Sequence, residues 1–472
     1  MSVLVSIAPI AILLIALVFL KLKAWQAALA ALAVSLAASF FMFSEALPLH
    51  RMPGVMSEGF LFALSPICFV VVAALFTYAV TLESGAMLAI RSGLSSVSDD
   101  RRVLVLLIVW GFGNFMEGMA GFGTAVAIPA ALLVGLGFDP VKSVVMCLVA
   151  NTTSTAFGSV GVPLVTLAEV SGVDLIPLAW MTVLLQLAVT ALGPVLILLV
   201  YGGAKALNGM WRMILLSQAA FLVPWVLSAR FLGCELPDIA GGIGVMLAIV
   251  LSSRRNVSPD AFKRQLYAWA PFGFVVAILS ANALMPAEIK KWTTPGALVL
   301  AAAFLGGIVQ KIPLKRLAAL FFRTLADYRA ALATICCVLM LARIMAESGM
   351  ISTIADFLVS ATGSAYPAVS SLVGMLGGFV TGSGTSSCVL FGKLQTDVAR
   401  ELCADPHVFA AANVMGAGIG KMISPQSIAI GAAAASLAKS EGVILRKVFL
   451  WCLLDIVVAS AVVVLVVCCQ KW

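Results

Sequence analysis

Asn151-Thr152-Thr153-Ser154-Thr155-Ala156-Phe157-Gly158-Ser159-Val160-Gly161-Val162-Pro163 and Asn413-Val414-Met415-Gly416-Ala417-Gly418-Ile419-Gly420-Lys421-Met422-Ile423-Ser424-Pro425 are two versions of one pattern. In each, Asn is followed by Gly seven residues on and by Pro twelve residues on, and all three landmarks are offset by 262. Both stretches lie inside apolar runs long enough to cross a bilayer. Asn, Gly and Pro are poor helix material there. In lipid, a broken backbone survives only where protein buries it or it lines a cavity. Matching interrupted segments in two halves of a chain point to the binding site of a carrier. The pattern extends outward: Glu83-Ser84-Gly85 returns as Glu347-Ser348-Gly349, and Gly118 returns as Gly382, each at an offset of 264.

The 472 residues are 62% hydrophobic and 11% charged, which predicts an all-α polytopic membrane protein with no soluble domain. The formal net charge of +8 is spread over short loops, so it does not indicate nucleic-acid binding. The first apolar run has no basic residue before it and no small-residue cleavage site, and reads as an uncleaved helix. Most of the ten cysteines lie in apolar runs and read as small buried hydrophobes. Two histidines, His50 and His407, are too few for a zinc site, and no metal or cofactor is expected. Gly416 to Met422 looks like a phosphate loop, but one Gly is displaced and Met stands in place of Ser/Thr. No ATP-binding domain is evident, so the energy source would be an ion gradient or a separate subunit.

Twelve spans are predicted, near 3–20, 24–43, 59–82, 143–170, 175–201, 213–232, 236–252, 269–285, 296–310, 328–347, 406–437 and 446–469. Segments 103–138 and 366–398 have polar, Gly-rich centres and read as re-entrant helical hairpins. The first half (1–204) would hold two leading helices, then a repeat at about 59–201 with hairpin 103–138 and the broken helix 143–170. Residues 205–268 connect. The second half (269–472) would hold a repeat at about 328–469 with hairpin 366–398 and the broken helix 406–437. The repeats open seven spans apart, an odd number, which gives them inverted topology. Stretches 84–96 and 350–362 read as amphipathic arms at the interface. This threading gathers twenty of the 29 Lys and Arg residues on one side and eight on the other, leaving Lys421 in the membrane. The richer side is then cytoplasmic and both termini lie outside.

Ionisable groups at membrane depth are functional candidates by default. Glu117 sits at the tip of the first hairpin and Lys421 at the second break. A carboxylate withdrawn from water holds its proton more strongly, and a nearby cation weakens that hold. Glu117 is therefore the candidate proton carrier; a purely structural Glu117–Lys421 pair is the competing reading. Asn151, Thr152, Thr153 and Ser154 at the first break are candidate substrate ligands. So are Thr385, Ser386 and Ser387 at the second tip, and Asn413, Lys421 and Ser424 at the second break. Half-helices starting at such breaks aim free N–H groups and a positive dipole end inward, which suits a carboxylate or phosphate. Single Ser or Thr side chains often only satisfy helix backbone, so the cluster carries the argument. Gly118, Gly121, Gly123, Gly158, Gly382, Gly384 and Gly420 are the hairpin and break glycines.

At these residues the chain resembles the lactate permease family, which includes glycolate carriers. The matching stretches are 115–128, 132–138, 151–163, 381–395 and 411–428, with Lys421-Met422-Ile423-Ser424-Pro425-Gln426-Ser427-Ile428 the most specific; Ser98-Asp99-Asp100-Arg101 also fits. The resemblance covers roughly residues 60–440. It implies a symporter of the bacterial cytoplasmic (inner) membrane that takes up 2-hydroxy monocarboxylates such as lactate and glycolate with protons. It also implies kinship with carriers built from two inverted repeats. The family pattern has an acidic residue where Gly384 stands and Asn where Cys388 stands.

The expected function is secondary active, proton-coupled uptake of small 2-hydroxy monocarboxylates, by a carrier and not an enzyme. Its partners would be the lipid bilayer, the carboxylate and protons; a homodimer is left open. A sodium-coupled organic-anion carrier and a polytopic membrane enzyme are the alternatives. The charge asymmetry sets an expected outcome: a single cysteine at Lys315 reacts with an impermeant maleimide only from the cytoplasmic face. Labelling from the outside would overturn the threading.

Overall fold

A chain withdrawn from water must satisfy its peptide N–H and C=O groups internally, and helices do this within each segment. The computed structural model describes residues 2–18, 20, 22–253, 259–286, 293–437 and 440–470, and among them there are helices and no strands. Lys21, Arg254, Arg255, Lys290, Lys291, Lys439 and Lys471, part of the expected charge asymmetry, lie outside the described residues.

The first half holds α1 (Ser2–Val18), α2 (Ala24–Met42), α3 (Met52–Glu83, with a π-helical turn at Ala63–Cys68) and α4 (Ala86–Ser95). It continues with α5 (Arg101–Met119, π-helical over Leu106–Gly113), α6 (Thr124–Gly135), α7 (Pro140–Ser154), α8 (Gly158–Ser171) and α9 (Leu175–Gly202). Before the second expected repeat come α10 (Trp211–Phe231), α11 (Pro237–Ser252), α12 (Pro259–Ala283), α13 (Pro295–Val309) and α14 (Leu314–Asp327). The segment of the second expected repeat holds α15 (Arg329–Glu347), α16 (Met350–Thr362), α17 (Tyr366–Thr381), α18 (Gly384–Glu401), α19 (Pro406–Met422), α20 (Pro425–Ala434) and α21 (Glu441–Gln470).

Among the described residues nine helices are long and apolar enough to cross a membrane, ten if the α7–α8 pair, bent by 46°, counts as one. Three expected spans are shorter: α1 has 17 residues, α11 has 16 and α13 has 15. About 20 are needed to cross unaided. The segment 406–437 is divided into α19 and α20. Helix α14 lies outside every predicted run, because Lys315, Arg316 and Arg323 gather on one face and break the apolar run in the sequence; Arg316 pairs with Glu83 of α3.

The duplicated Glu-Ser-Gly triplets fold alike. Gly85 and Gly349 are left-handed, with φ of 74° and 78°, and each ends a long helix and starts the short one, α4 or α16, that follows. Both segments with polar centres fold as hairpins. In the first, the turn between α5 and α6 uses left-handed Gly121 and Gly123, and the Thr124 hydroxyl closes it by donating to Gly121 O at 2.8 Å. The Arg101 guanidinium donates to Leu136 O and Gly137 O, so the two ends of the hairpin meet. In the second, Gly382 (φ 62°) turns the chain between α17 and α18. The Tyr366 hydroxyl donates to Gln395 Oε1 at 2.9 Å and Gln395 donates to Ser370 O at 2.7 Å, pairing the ends. Gly118, matched to Gly382 by sequence offset, lies instead within α5; Gly121 occupies the turn.

The hairpin mouths lie at opposite ends of α9, a helix about 42 Å long from its 28 residues. Beside the first mouth, Lys142 donates to Tyr201 O and Arg102 to Asn208 O, near the end of α9. At the second mouth, Thr396 and Arg400 donate to Ser171 O, just before α9 begins.

Helices α17 and α19 cross backbone to backbone. Gly374 and Gly378 lie on the carbonyls of Asn413 and Ala417, and Gly416 and Gly420 on those of Ser371 and Met375. A methyl group at any of the four would overlap a carbonyl oxygen. Small residues permit such close approach where lipid supplies no hydrophobic force between helices. Gly420→Ala should therefore lower the thermal unfolding midpoint and the yield of monodisperse protein, at a cost of about 1–3 kcal/mol for overpacking. Gly442→Ala, with open space around it, should match or exceed the parent protein in the same assay. Equal behaviour of the two variants would contradict the crossing.

Candidate substrate site

The first break combines a loss of helical geometry after Ser154 with three left-handed residues, Ser159, Val160 and Gly161, at φ of 49°, 58° and 77°. A left-handed β-branched residue such as Val160 is strained and is found where surrounding structure enforces it. Here the Ser159 hydroxyl donates to Ala120 O at 3.0 Å, fastening the break to the first hairpin tip. Pro163 stands just beyond, at the start of the regular part of α8. At the second break α19 ends at Met422, and the Ser424 hydroxyl accepts from the Ser427 N–H at 3.0 Å, capping α20 with Pro425 in its first turn. The two breaks face each other, since Gly418 packs against the Thr152 carbonyl.

This facing brings Lys421 onto Glu117. The two charges are in direct contact, with only 6% and 3% of each residue exposed. An unpaired charge at this depth would be severely destabilising. Gly158 leaves room for the pair: a methyl there would stand 3.1 Å from Glu117 Oε1. Asn151 completes the cluster. With its amide oxygen turned toward the ammonium, it accepts from Lys421 Nζ at 3.1 Å and donates to Glu117 Oε2 at 3.2 Å; in the reverse orientation its oxygen faces an acceptor and its nitrogen a donor.

The pair forms part of the wall of a cavity of about 260 Å³. Four helix starts supply other parts of that wall: Gly123 before α6, Gly158 and Ser159 of α8, Ser383 to Ser386 at α18, and Gln426 and Ser427 of α20. Ser383 caps α18 by accepting from the Ser386 N–H. Helix starts present backbone donors and positive dipole ends. Trp25 of α2 and Ala330, Ala331 and Thr334 of α15 form the remaining side. Helix starts, one ammonium and several hydroxyls suit a small anion that also bears a hydroxyl group.

Of the residues singled out from sequence, Glu117, Lys421, Thr385, Ser386, Gly123, Gly158, Gly382 and Gly384 line this cavity. Asn151 stands behind the pair. Thr152, Thr153 and Ser154 are buried on α7, and the Ser154 hydroxyl lies 3.4 Å from the Asn151 amide. Ser387 donates to Gly374 O inside the second hairpin, and Asn413 lies 3.5 Å from both Gln395 Nε2 and Ser387 O in the same packing. Ser424 is a helix cap. Gly121 turns the first tip beside Ser159, Gly118 packs on Asp238, and Gly420 serves the helix crossing. The run that looked like a phosphate loop is helical. Asp397 is held at the second hairpin by Lys393 and Arg400. Sequence reasoning missed Trp25, which has no local signal, and Ser383, whose place three residues before Ser386 is a capping signal.

Comparison with known proteins agrees with this architecture. The chain matches the L-lactate permease family over residues 2–287 and 275–469. It is 35% identical to an L-lactate permease of Streptococcus iniae over 440 residues, covering 86% of this chain and 92% of that one. It is 31% identical to the L-lactate permease of Bacillus subtilis strain 168 and to the glycolate permease GlcA of Escherichia coli K12, each time over 94% of this chain and 92% of the relative. Among solved structures, the YdaH transporter of Alcanivorax borkumensis shares the fold at a TM-score of 0.50 and 14% identity, over 88% of this chain and 87% of that one. These relatives are permeases and not enzymes, and the chain carries many apolar helices: it is a multi-pass membrane transporter that belongs to the L-lactate permease family.

Proposed function

We propose that this transporter is a symporter that brings lactate, glycolate or a similar small 2-hydroxy monocarboxylate through the bacterial cytoplasmic membrane together with protons. The observation that carries this reading is the buried Glu117–Lys421–Asn151 cluster on a cavity ringed by helix starts. In the empty state Glu117 is the partner of Lys421. A proton arriving on Glu117 removes its negative charge and frees the ammonium for the substrate carboxylate. The helix starts at Ser383 and Ser424 add backbone donors to that carboxylate, and Thr385, Ser386 or Ser427 offers a partner to the 2-hydroxyl. Proton and substrate then bind best together, which is the differential binding that symport requires. The pair could instead be only a structural clamp, but its place on a cavity wall favours the coupling role.

The hairpins support two inverted repeats, at about 59–201 and 328–469. Their mouths lie at opposite ends of α9, and each return arm packs on the broken helix of the other half: α6 on α20 through Gly123 and Ile430, α18 on α8 through Gly392 and Leu167. In this reading the basic loops face the cytoplasm and both termini face out.

In proteoliposomes with an imposed pH gradient, Glu117→Gln should lose uphill lactate accumulation yet still exchange internal for external lactate, since exchange need not release the proton. Uphill accumulation by this variant, or accumulation by the parent protein driven by sodium alone, would overturn proton coupling through Glu117. Asn151→Ala and Lys421→Ala should each weaken apparent lactate affinity about tenfold or more. Removing one partner of a buried polar contact costs about 1–3 kcal/mol, and more where a charge is left alone. Unchanged affinity in both at equal expression would move the site.

A further inference from the structure

A second acid stands close to the first hairpin tip. Asp238 is in the first turn of α11 and is wholly buried. One carboxyl oxygen accepts the Trp225 indole N–H at 3.0 Å; the other, Oδ2, has no hydrogen-bond partner. The Asp238 side chain packs against Gly118, the neighbour of Glu117: a methyl at Gly118 would stand 2.9 Å from Asp238 Cβ. The Trp225 ring is in turn held edge-on by Phe157 of the first break, with centroids 5.6 Å apart. The charged groups that act on it are Glu117 from α5 and Lys421 from α19; Cys234 and Glu235 stand four and three residues before it, in the turn that leads into α11. No cation is in ion-pair contact with Asp238 among the described residues. That same turn borders a second cavity, of about 210 Å³, which Arg230, Glu235 and Asn282 help to line. Ile176, near the start of α9, also borders it, which puts it at the end of the molecule away from the first hairpin mouth.

A buried carboxylate with no cation in contact and a vacant oxygen is a poor place for a negative charge and a good place for a proton. We propose that Asp238 is a second proton-binding site, a relay between the cavity beside Glu235 and the Glu117–Lys421 pair. Its proton passes to Glu117 as the hairpin tip shifts. Asp238 becomes a carboxylate that keeps the indole hydrogen bond, and Glu117 becomes a neutral acid. Lys421 exchanges Glu117 for the substrate carboxylate, and a new proton returns to Asp238 from the side of the second cavity. One proton moves at each step and no other reactant is needed. Trp225 is the positioning residue, because its N–H serves the acid and the carboxylate alike.

The relay rests on the proton-coupled reading above, and the test separates the two. Full-length protein in lipid would be taken through a pH jump and through lactate addition while infrared difference spectra are recorded. The expected result is a carboxylic-acid C=O band that Asp238→Asn removes and Trp225→Phe shifts, because the second variant keeps the acid and an aromatic ring but takes away the indole N–H. In proteoliposomes, Asp238→Asn should slow proton-driven lactate uptake at least tenfold and change its pH profile, with Asp238→Glu restoring part of the rate. A band identical in the parent, Asp238→Asn and Trp225→Phe proteins would overturn the proposal, as would an unchanged uptake pH profile in Asp238→Asn. If Asp238→Asn does not fold by thermal melting, the Trp225→Phe shift and the Asp238→Glu profile decide in its place: no shift with a parental profile overturns it. Failure of the parent protein to accumulate lactate on a pH gradient would instead remove the coupling reading, while the infrared band would still decide whether Asp238 binds a proton.

Discussion

Two opposite charges at membrane depth set the terms for this molecule. Glu117 and Lys421 are 304 residues apart and can be buried only together. Their contact requires the first hairpin tip and the second broken helix to converge, which requires α7 and α19 to meet face to face. Gly418 on the Thr152 carbonyl permits that meeting, and Gly158 leaves room beside Glu117 for the pair. The cavity follows from the same convergence. Helices that stop at the molecular centre leave their starting N–H groups turned inward, and the space between them is polar because the backbone there is polar.

The electrostatic arrangement is economical in charge. One ammonium, one carboxylate and one amide make up the cluster, and most of the remaining polarity is backbone and hydroxyl. This suits a carrier that must also release its cargo. A site with several fixed cations would hold a carboxylate too well, whereas dipole ends and a single ammonium already shared with Glu117 would, under the proposed coupling, leave the balance adjustable by one proton. In the proposed scheme the placement of Asp238 behind Gly118 extends that logic, by giving the proton a place to reside when it is not on Glu117.

Much of the architecture was legible in the sequence because breaks in membrane helices are conspicuous. The Asn-Gly-Pro spacing located both interruptions, the Glu-Ser-Gly triplets marked two equivalent positions that fold alike, and the polar centres of 103–138 and 366–398 located two hairpins. Helix lengths were less legible. Short apolar runs were read as full spans, yet α11 and α13, with 16 and 15 residues, fall below the length that crosses a bilayer unaided, and α14, with its basic face, lies outside every predicted run. Site membership was divided in the same way. Glu117 and Lys421 stood out as lone charges. Asn413 and Ser387 carry the same chemistry as Asn151 and Ser386, and only packing shows that they serve the interior of the second hairpin. Asp238 escaped notice because it opens an apolar run, where an acid reads as a helix-start residue.

Among the tightly packed glycines two kinds have different evolutionary prospects. At Gly193 and Gly241 the neighbours are the Trp110 and Phe221 rings, so a larger residue could be accommodated by a smaller ring opposite. At Gly374, Gly378, Gly416 and Gly420 the neighbours are main-chain carbonyls, which no substitution can trim. A second-site suppressor can therefore arise for the first kind by a single side-chain change, while the second kind would need the whole helix to move. Drift in this protein is thus reversible at its aromatic contacts and blocked at the α17–α19 crossing, so that the least chemically active residues in the chain become the hardest to replace.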